Sequence, residues 1–174
     1  RVFLGNKSSH ILSDKEKYQT IERFQFYNQM LMDEGYHLLL ETHQGTMLDE
    51  EKSVLTFLKS GLPDIRLLLD IHNLCILKPI STNIIKQLVP YVSEIHVKNT
   101  ERLQSVKEEF PLEAGKINIK NSHLEKGFVD WNRYFHVLKK NNFSGDIVLE
   151  WFSKISVKNL LKQYQIMKLM YENA

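Results

Sequence analysis

Five short apolar runs recur along the chain: "RVFL" at 1–4, "HLLLE" at 37–41, "IRLLLD" at 65–70, "VSEIHV" at 92–97 and "DIVLE" at 146–150. Runs that stay apolar at successive positions suit parallel strands, which are buried on both faces. The segments between them have helical periodicity. The first opens on Ser13, Asp14, Lys15 and Glu16, the pattern of a capping box, and closes at Gly35, a natural position for a left-handed cap. Ile21, Phe24 and Leu31 mark its buried face. Trp131, Tyr134, Phe135 and Leu138 follow the i, i+3, i+4, i+7 spacing after an Asp130 cap, and Val157, Leu160, Leu161 and Tyr164 repeat that spacing in the last helix. The order βαβαβαβαβα predicts a parallel α/β fold, either doubly wound or part of an eight-stranded barrel.

A doubly wound nucleotide binder carries a glycine-rich turn after its first strand. Here the segment "LGNKSSH" has a single glycine, so G-x-G-x-x-G is absent. Polar residues stand instead at or near the C-terminal ends of four successive strands: Glu41, Asp70, His96 and Glu150. That rim is where a barrel assembles its active site. Each residue alone reads more readily as a helix cap or a solvated side chain; their shared register points to a site. Three carboxylates and one imidazole form a hard oxygen and nitrogen set that suits one divalent ion, Mn²⁺, Mg²⁺, Co²⁺ or Zn²⁺, and suits copper or an iron–sulfur cluster less well.

Composition narrows the rest. A chain of 174 residues, 43% hydrophobic and 25% charged, is in the range of one globular domain spanning 1–174. Its net charge of +2, without a long single-sign run, argues against a nucleic-acid or anionic-membrane surface. Cys75 is the lone cysteine, which excludes an internal disulfide framework and suits a reducing cytoplasm, and no apolar stretch is long enough to span a bilayer. The segment 103–127, with Pro111, Gly115 and Gly127, reads as a long active-site loop. Because the chain starts at Arg1 directly in a strand, we expect it to begin in mid-domain.

The segments "LLLETHQGT", "LLLDIHNL", "EIHVKNTER" and "GFVDWNRYFHVLKKNNFSGDIVLEWF" closely resemble the last four βα units of the xylose-isomerase-like barrels of the sugar-phosphate isomerase/epimerase superfamily. The resemblance implies a (β/α) TIM barrel with about five βα units in this chain and about three more before Arg1, the chain being the C-terminal portion. It implies that Glu41, Asp70, His96 and Glu150 bind the metal, and that Glu41 and Glu150 act as acid/base groups on opposite faces of a sugar. It places His43, Asn73, Lys98 and Arg102 at positions that contact substrate. Asn73 stands where many members have histidine, Asn99 replaces the usual aspartate, and His72 is displaced by one residue from the family histidine and is not nominated as a ligand. His10, His37, His123 and His136 are assigned to surface or packing roles.

The implied activity is that of a cytoplasmic, metal-dependent sugar or sugar-phosphate isomerase or epimerase of carbohydrate metabolism, which moves a proton through an enediolate. A dehydratase of a cyclic polyol or keto acid on the same barrel is the nearest alternative, since loss of a β-hydroxyl begins with the same proton abstraction. An apurinic endonuclease or a non-catalytic barrel ranks below it. The expected partner is a small carbohydrate, with no nucleic acid and no membrane. An open arc leaves two strand edges unpaired, which the expected units before Arg1 would cover; only a product that itself began at Arg1 would need a partner to do so, and a homo-oligomer is a possible state.

Overall fold

Four parallel pairings join five strands into one sheet in the order β1 (Val2–Phe3), β2 (Leu39–Glu41), β3 (Arg66–Asp70), β4 (Val92–Val97) and β7 (Asp146–Leu149). The computed structural model describes residues 1–76, 78–102, 119–151 and 156–174. Helices α1 (Asp14–Asp33), α2 (Glu51–Leu58), α3 (Ile71–Cys75), α4 (Thr82–Leu88), α5 (Trp131–Lys140) and α6 (Val157–Glu172) lie between or after the strands. This is an α/β fold of the TIM-barrel type, seen as an arc of five sequential parallel strands. Among the described residues no helix is long and apolar enough to cross a membrane.

Local chemistry explains the elements. The Glu16 carboxylate accepts from the Ser13 N–H at 2.9 Å and Ser13 Oγ accepts from the Glu16 N–H at 3.3 Å, so the capping box forms as expected. At the other end Gly35 takes φ +81°, and its N–H donates to the Met32 carbonyl. Phe24 is buried edge-on against Phe57, while Ile21 and Leu31 are only partly covered. In α5 the Asp130 side chain accepts from the Arg133 N–H, and Trp131, Tyr134, Phe135 and Leu138 are all fully buried.

Leu40, Leu67, Leu69, Ile95 and Val97 join these helical residues in the main apolar core, on the helix side of the sheet. Residues of the alternate parity face the inner side of the arc. That parity positions the site.

The structure corrects three expectations. The first strand is Val2–Phe3 rather than 1–4, because Leu4 and Gly5 already turn away, with Gly5 at φ +80°. An antiparallel ribbon of β5 (Thr100–Arg102) and β6 (Ile119–Asn121) interrupts the simple alternation. Part of the expected loop 103–127 is thus a strand, and residues 103–118 lie outside the described residues. In α6 the expected buried stripe is exposed, Val157 at 73% and Leu161 at 56%, with Leu160 and Tyr164 also open. The helix turns a different face inward, burying Gln163 and Met167. Gln163 Oε1 accepts from the Leu124 N–H at 2.9 Å, a polar anchor that no apolar periodicity reveals.

Candidate active site

Strand alternation sets Glu94 and His96 on the inner face of β4, with Lys98 continuing the row just past the strand end. Glu41 and Asp70 close β2 and β3 on the same face. Glu150 follows β7 by one residue, and its N–H donates to the Val97 carbonyl at 2.9 Å. The pairing of His96 with Val148, carried two places on, sets Lys98 beside Glu150.

The donor atoms of Glu41, Asp70 and His96 all lie within 4.8 Å of one another, and Glu150 Oε2 is 3.2 Å from His96 Nδ1. Cations thread between the carboxylates. Lys98 Nζ is 2.5 Å from Asp70 Oδ2 and 2.8 Å from Glu150 Oε2. Arg1 reaches over the cluster, with Nε 3.0 Å from Glu41 Oε2 and Nη1 3.9 Å from Glu150 Oε1. On the far side of the imidazole, Glu94 Oε1 is 3.0 Å from His96 Nε2.

Burial raises the Asp70 pKa, with the Lys98 ammonium pulling against it. Burial also works against the charged forms of His96 and Lys98, yet the carboxylates around them overcome it: Glu150 chiefly for His96, Asp70 and Glu150 for Lys98. Both pKa values are raised. Burial opposes ionisation of Glu150 too, but the adjacent His96 imidazole and the Lys98 ammonium bring its pKa down to about 2. The cluster is therefore strongly polarised, with charged groups held at close quarters.

Glu41 Oε2, Asp70 Oδ2 and His96 Nδ1 are buried without a well-directed hydrogen bond, even though cationic nitrogens or carboxylates stand at ion-pair distance. Buried polar atoms in this condition are costly unless something else satisfies them. Two carboxylate oxygens and one imidazole nitrogen directed at a common volume, with Glu150 alongside, form a donor set that fits a divalent cation.

The expected substrate-contacting residues divide. Lys98 lies inside the cluster. His43 packs its ring on Phe3, centroids 4.8 Å apart, with Nδ1 at 2.8 Å from the Gln44 carbonyl. The Asn73 amide is committed to the Thr42 carbonyl at 3.1 Å, and its N–H donates to Asp70 Oδ1 at 2.8 Å. Asp70 thus caps α3 through one oxygen while the other meets the Lys98 ammonium, so the cap leaves an oxygen on the inner side of the sheet. Arg102 ends β5, and its side chain lies outside the described residues.

Sequence reasoning missed Arg1, Glu94 and the work of Asn99. The Asn99 amide donates to the Leu124 and Val129 carbonyls at 2.8 and 2.9 Å, and its oxygen accepts from the Thr100 and Val129 N–H groups. An aspartate could supply only the acceptor half of that arrangement. A Cβ at Gly127 would collide with the Asn99 side chain, which explains the glycine there. Trp131 Nε1 donates to the Lys98 carbonyl at 2.9 Å, so α5 also fixes the backbone that carries the lysine.

A family model described as xylose isomerase-like TIM barrel matches residues 3–170. A 3-dehydroshikimate dehydratase of Bacillus anthracis is 27% identical over 100 residues, which are 57% of this chain and 36% of that protein. The crystal structure of a probable 3-DHS dehydratase involved in petrobactin synthesis, also from Bacillus anthracis, superposes with a TM-score of 0.75 at 22% identity, covering 97% of this chain and 61% of that one. A xylose isomerase-like TIM barrel protein from Mycobacterium smegmatis in complex with magnesium gives 0.66 at 18% identity, covering 94% and 53%. An L-ribulose 3-epimerase gives 0.62 at 17%, covering 97% and 54%. The chain therefore spans less than two thirds of the length of these relatives.

Proposed function

The chain belongs to the xylose isomerase-like TIM barrel family, and from that premise we propose that Glu41, Asp70, His96 and Glu150 hold one divalent cation, while Glu41 and Glu150 move protons on a small hydroxylated carbonyl compound. The observation that carries this reading is the convergence of buried donor atoms from three neighbouring strands, with Glu150 from a fourth beside them. When bound, Mn²⁺, Mg²⁺, Co²⁺ or Zn²⁺ would supply a Lewis acid that stabilises negative charge on the substrate's oxygens.

The chain's own residues supply the acid/base chemistry. Glu41 and Glu150 come from strands separated by β3 and β4, so they flank the volume above Asp70 and His96 from two sides. A carbon held there is exposed to two carboxylates. One takes the proton beside the carbonyl, and the other can return a proton to the opposite face or to the neighbouring carbon, which gives epimerisation or isomerisation.

Dehydration of a cyclic keto acid is the second reading. Arg1 and Lys98 place two cations over and within the site, paired there with Glu41, Asp70 and Glu150, and either could exchange a protein carboxylate for that of a substrate. The 3-dehydroshikimate dehydratase among the relatives supports this reading. Both readings begin with one step, proton removal next to a carbonyl.

The test is deuterium incorporation from solvent by the full-length, Mn²⁺-supplemented protein on a panel of ketoses, ketose phosphates and cyclic keto acids. Exchange with a sugar product supports the isomerase reading, and exchange with a dehydrated product supports the dehydratase. Absence of exchange across the panel, with nicking of abasic DNA, would overturn both.

A further inference from the structure

Glu94 has no part in the four-residue cluster, yet it stands in the row that builds it. It lies two residues before His96 on β4, and a period of two sends both side chains to the same face. The register is pinned from both sides: β3 pairs Leu68 with Glu94 and Asp70 with His96, and β7 pairs Asp146 with Glu94 and Val148 with His96. A slip of one residue would turn both groups into the core, so their relative placement is fixed by the sheet itself.

The imidazole is divided between two environments. Nε2 is 3.0 Å from Glu94 Oε1, whereas Nδ1 is buried, faces Glu150 Oε2 at 3.2 Å and has no well-directed hydrogen bond. Among the described residues, His96 is the only ion-pair partner of Glu94. A neutral histidine carries its proton on one ring nitrogen and a lone pair on the other, and the hydrogen bond made by one nitrogen decides which.

We propose that Glu94 is a positioning residue: by accepting the Nε2–H of His96 it turns the Nδ1 lone pair toward the Glu41, Asp70 and Glu150 donors, and so sets the affinity of the site for a divalent cation. This rests on the metal-centre reading above. Carboxylates behind ligating histidines raise ligand basicity and fix ring orientation, and their loss typically costs about 10- to 100-fold in metal affinity. Glu94→Gln retains an oxygen that can accept the Nε2–H but lacks the charge, so its loss is smaller than that of Glu94→Ala.

The experiment is calorimetric titration of Mn²⁺ into the full-length wild type, Glu94→Gln, Glu94→Ala and His96→Ala. Thermal unfolding of each metal-free protein is recorded in parallel, with proton NMR of the Mg²⁺-loaded forms for a slowly exchanging N–H on His96 Nε2. The expected result is a Kd raised about 10- to 100-fold in Glu94→Ala and less in Glu94→Gln. The Nε2–H signal is retained in wild type and Glu94→Gln and lost in Glu94→Ala, with metal-free unfolding temperatures within the wild-type range. Equal Mn²⁺ affinity in wild type and Glu94→Ala overturns the role of Glu94 and leaves the metal centre standing. Wild type that binds Mn²⁺ no better than His96→Ala overturns the metal centre and this inference with it. Affinity lost together with the metal-free fold in both Glu94 variants assigns Glu94 to structure and also overturns the inference.

Discussion

Glu150 is partly open to solvent and held ionised by His96 and Lys98, whereas Glu41 is buried beneath Arg1. Glu150→Gln preserves the shape and one of the oxygens proposed to bind metal but removes the carboxylate proposed to accept a proton. Steady-state kinetics should show turnover reduced by about 10²- to 10⁴-fold, with substrate binding largely kept; near-normal turnover would contradict the two-glutamate mechanism. A second expectation concerns His72, which hydrogen-bonds Thr100 at 2.8 Å and packs on the Phe128 ring. Burial, with the Lys98 charge added, lowers its pKa from 6.5 to about 3. The unfolded chain therefore takes up a proton that the folded chain refuses. Stability from this source is complete above about pH 6.5 and falls as the pH drops toward 3, by up to about 1.4 kcal/mol per pH unit. Urea unfolding of His72→Gln between pH 7 and 4 should show a flatter profile than wild type, and parallel profiles would contradict it. At this scale Glu41, Asp70, His96 and Glu150 were legible as a group, because each ends an apolar run. Glu94 was not, since a glutamate inside a strand reads as a solvent-facing residue until its histidine partner is seen. Arg1 escaped notice because only the pairing of Phe3 with Glu41 brings it over the site.

Among the elements, α1 carries a pH dependence of opposite origin. The Lys7 side chain and the Ser13 bonds lower the Glu16 pKa from 4.5 to about 2. A depressed carboxyl stabilises the fold above its unfolded pKa and loses that contribution as the pH falls from about 4.5 toward 2. Circular dichroism melts should place Glu16→Gln below wild type at pH 7, with the gap closing near pH 2; a gap that persists there would assign the effect to shape rather than charge. The capping box could be read from sequence because its partners are three residues apart. The buried face of α6 could not, because it is chosen by partners far along the chain: Gln163 meets Leu124 and His123, and α5 packs its Phe135 ring edge-on against Tyr171. The β5–β6 ribbon was hidden for the same reason, since three-residue strands leave no periodic pattern to detect. The split helical crossover between β3 and β4, α3 then α4, follows from Asp70 and Ser81 each capping a helix.

For the whole molecule, sequential parallel strands bring residues more than a hundred positions apart to one rim, and that arrangement links the fold to the chemistry. The inner face of the arc carries Phe3 and Val148 substantially exposed at its two edge strands, whereas the centre of the sheet is buried. The charged cluster sits across this gradient, with Asp70 and His96 at its protected middle and Glu150 at its more open side. In the proposed function the four strand-end residues form one metal centre. Anomalous diffraction from crystals of the full-length protein grown with Mn²⁺ tests it most directly. The predicted result is a single strong manganese peak with donor atoms of Glu41, Asp70, His96 and Glu150 about 2.0–2.4 Å away and the Lys98 ammonium displaced from between Asp70 and Glu150. Lys98 still bridging those two carboxylates at saturating Mn²⁺, with manganese bound elsewhere or not at all, would contradict it.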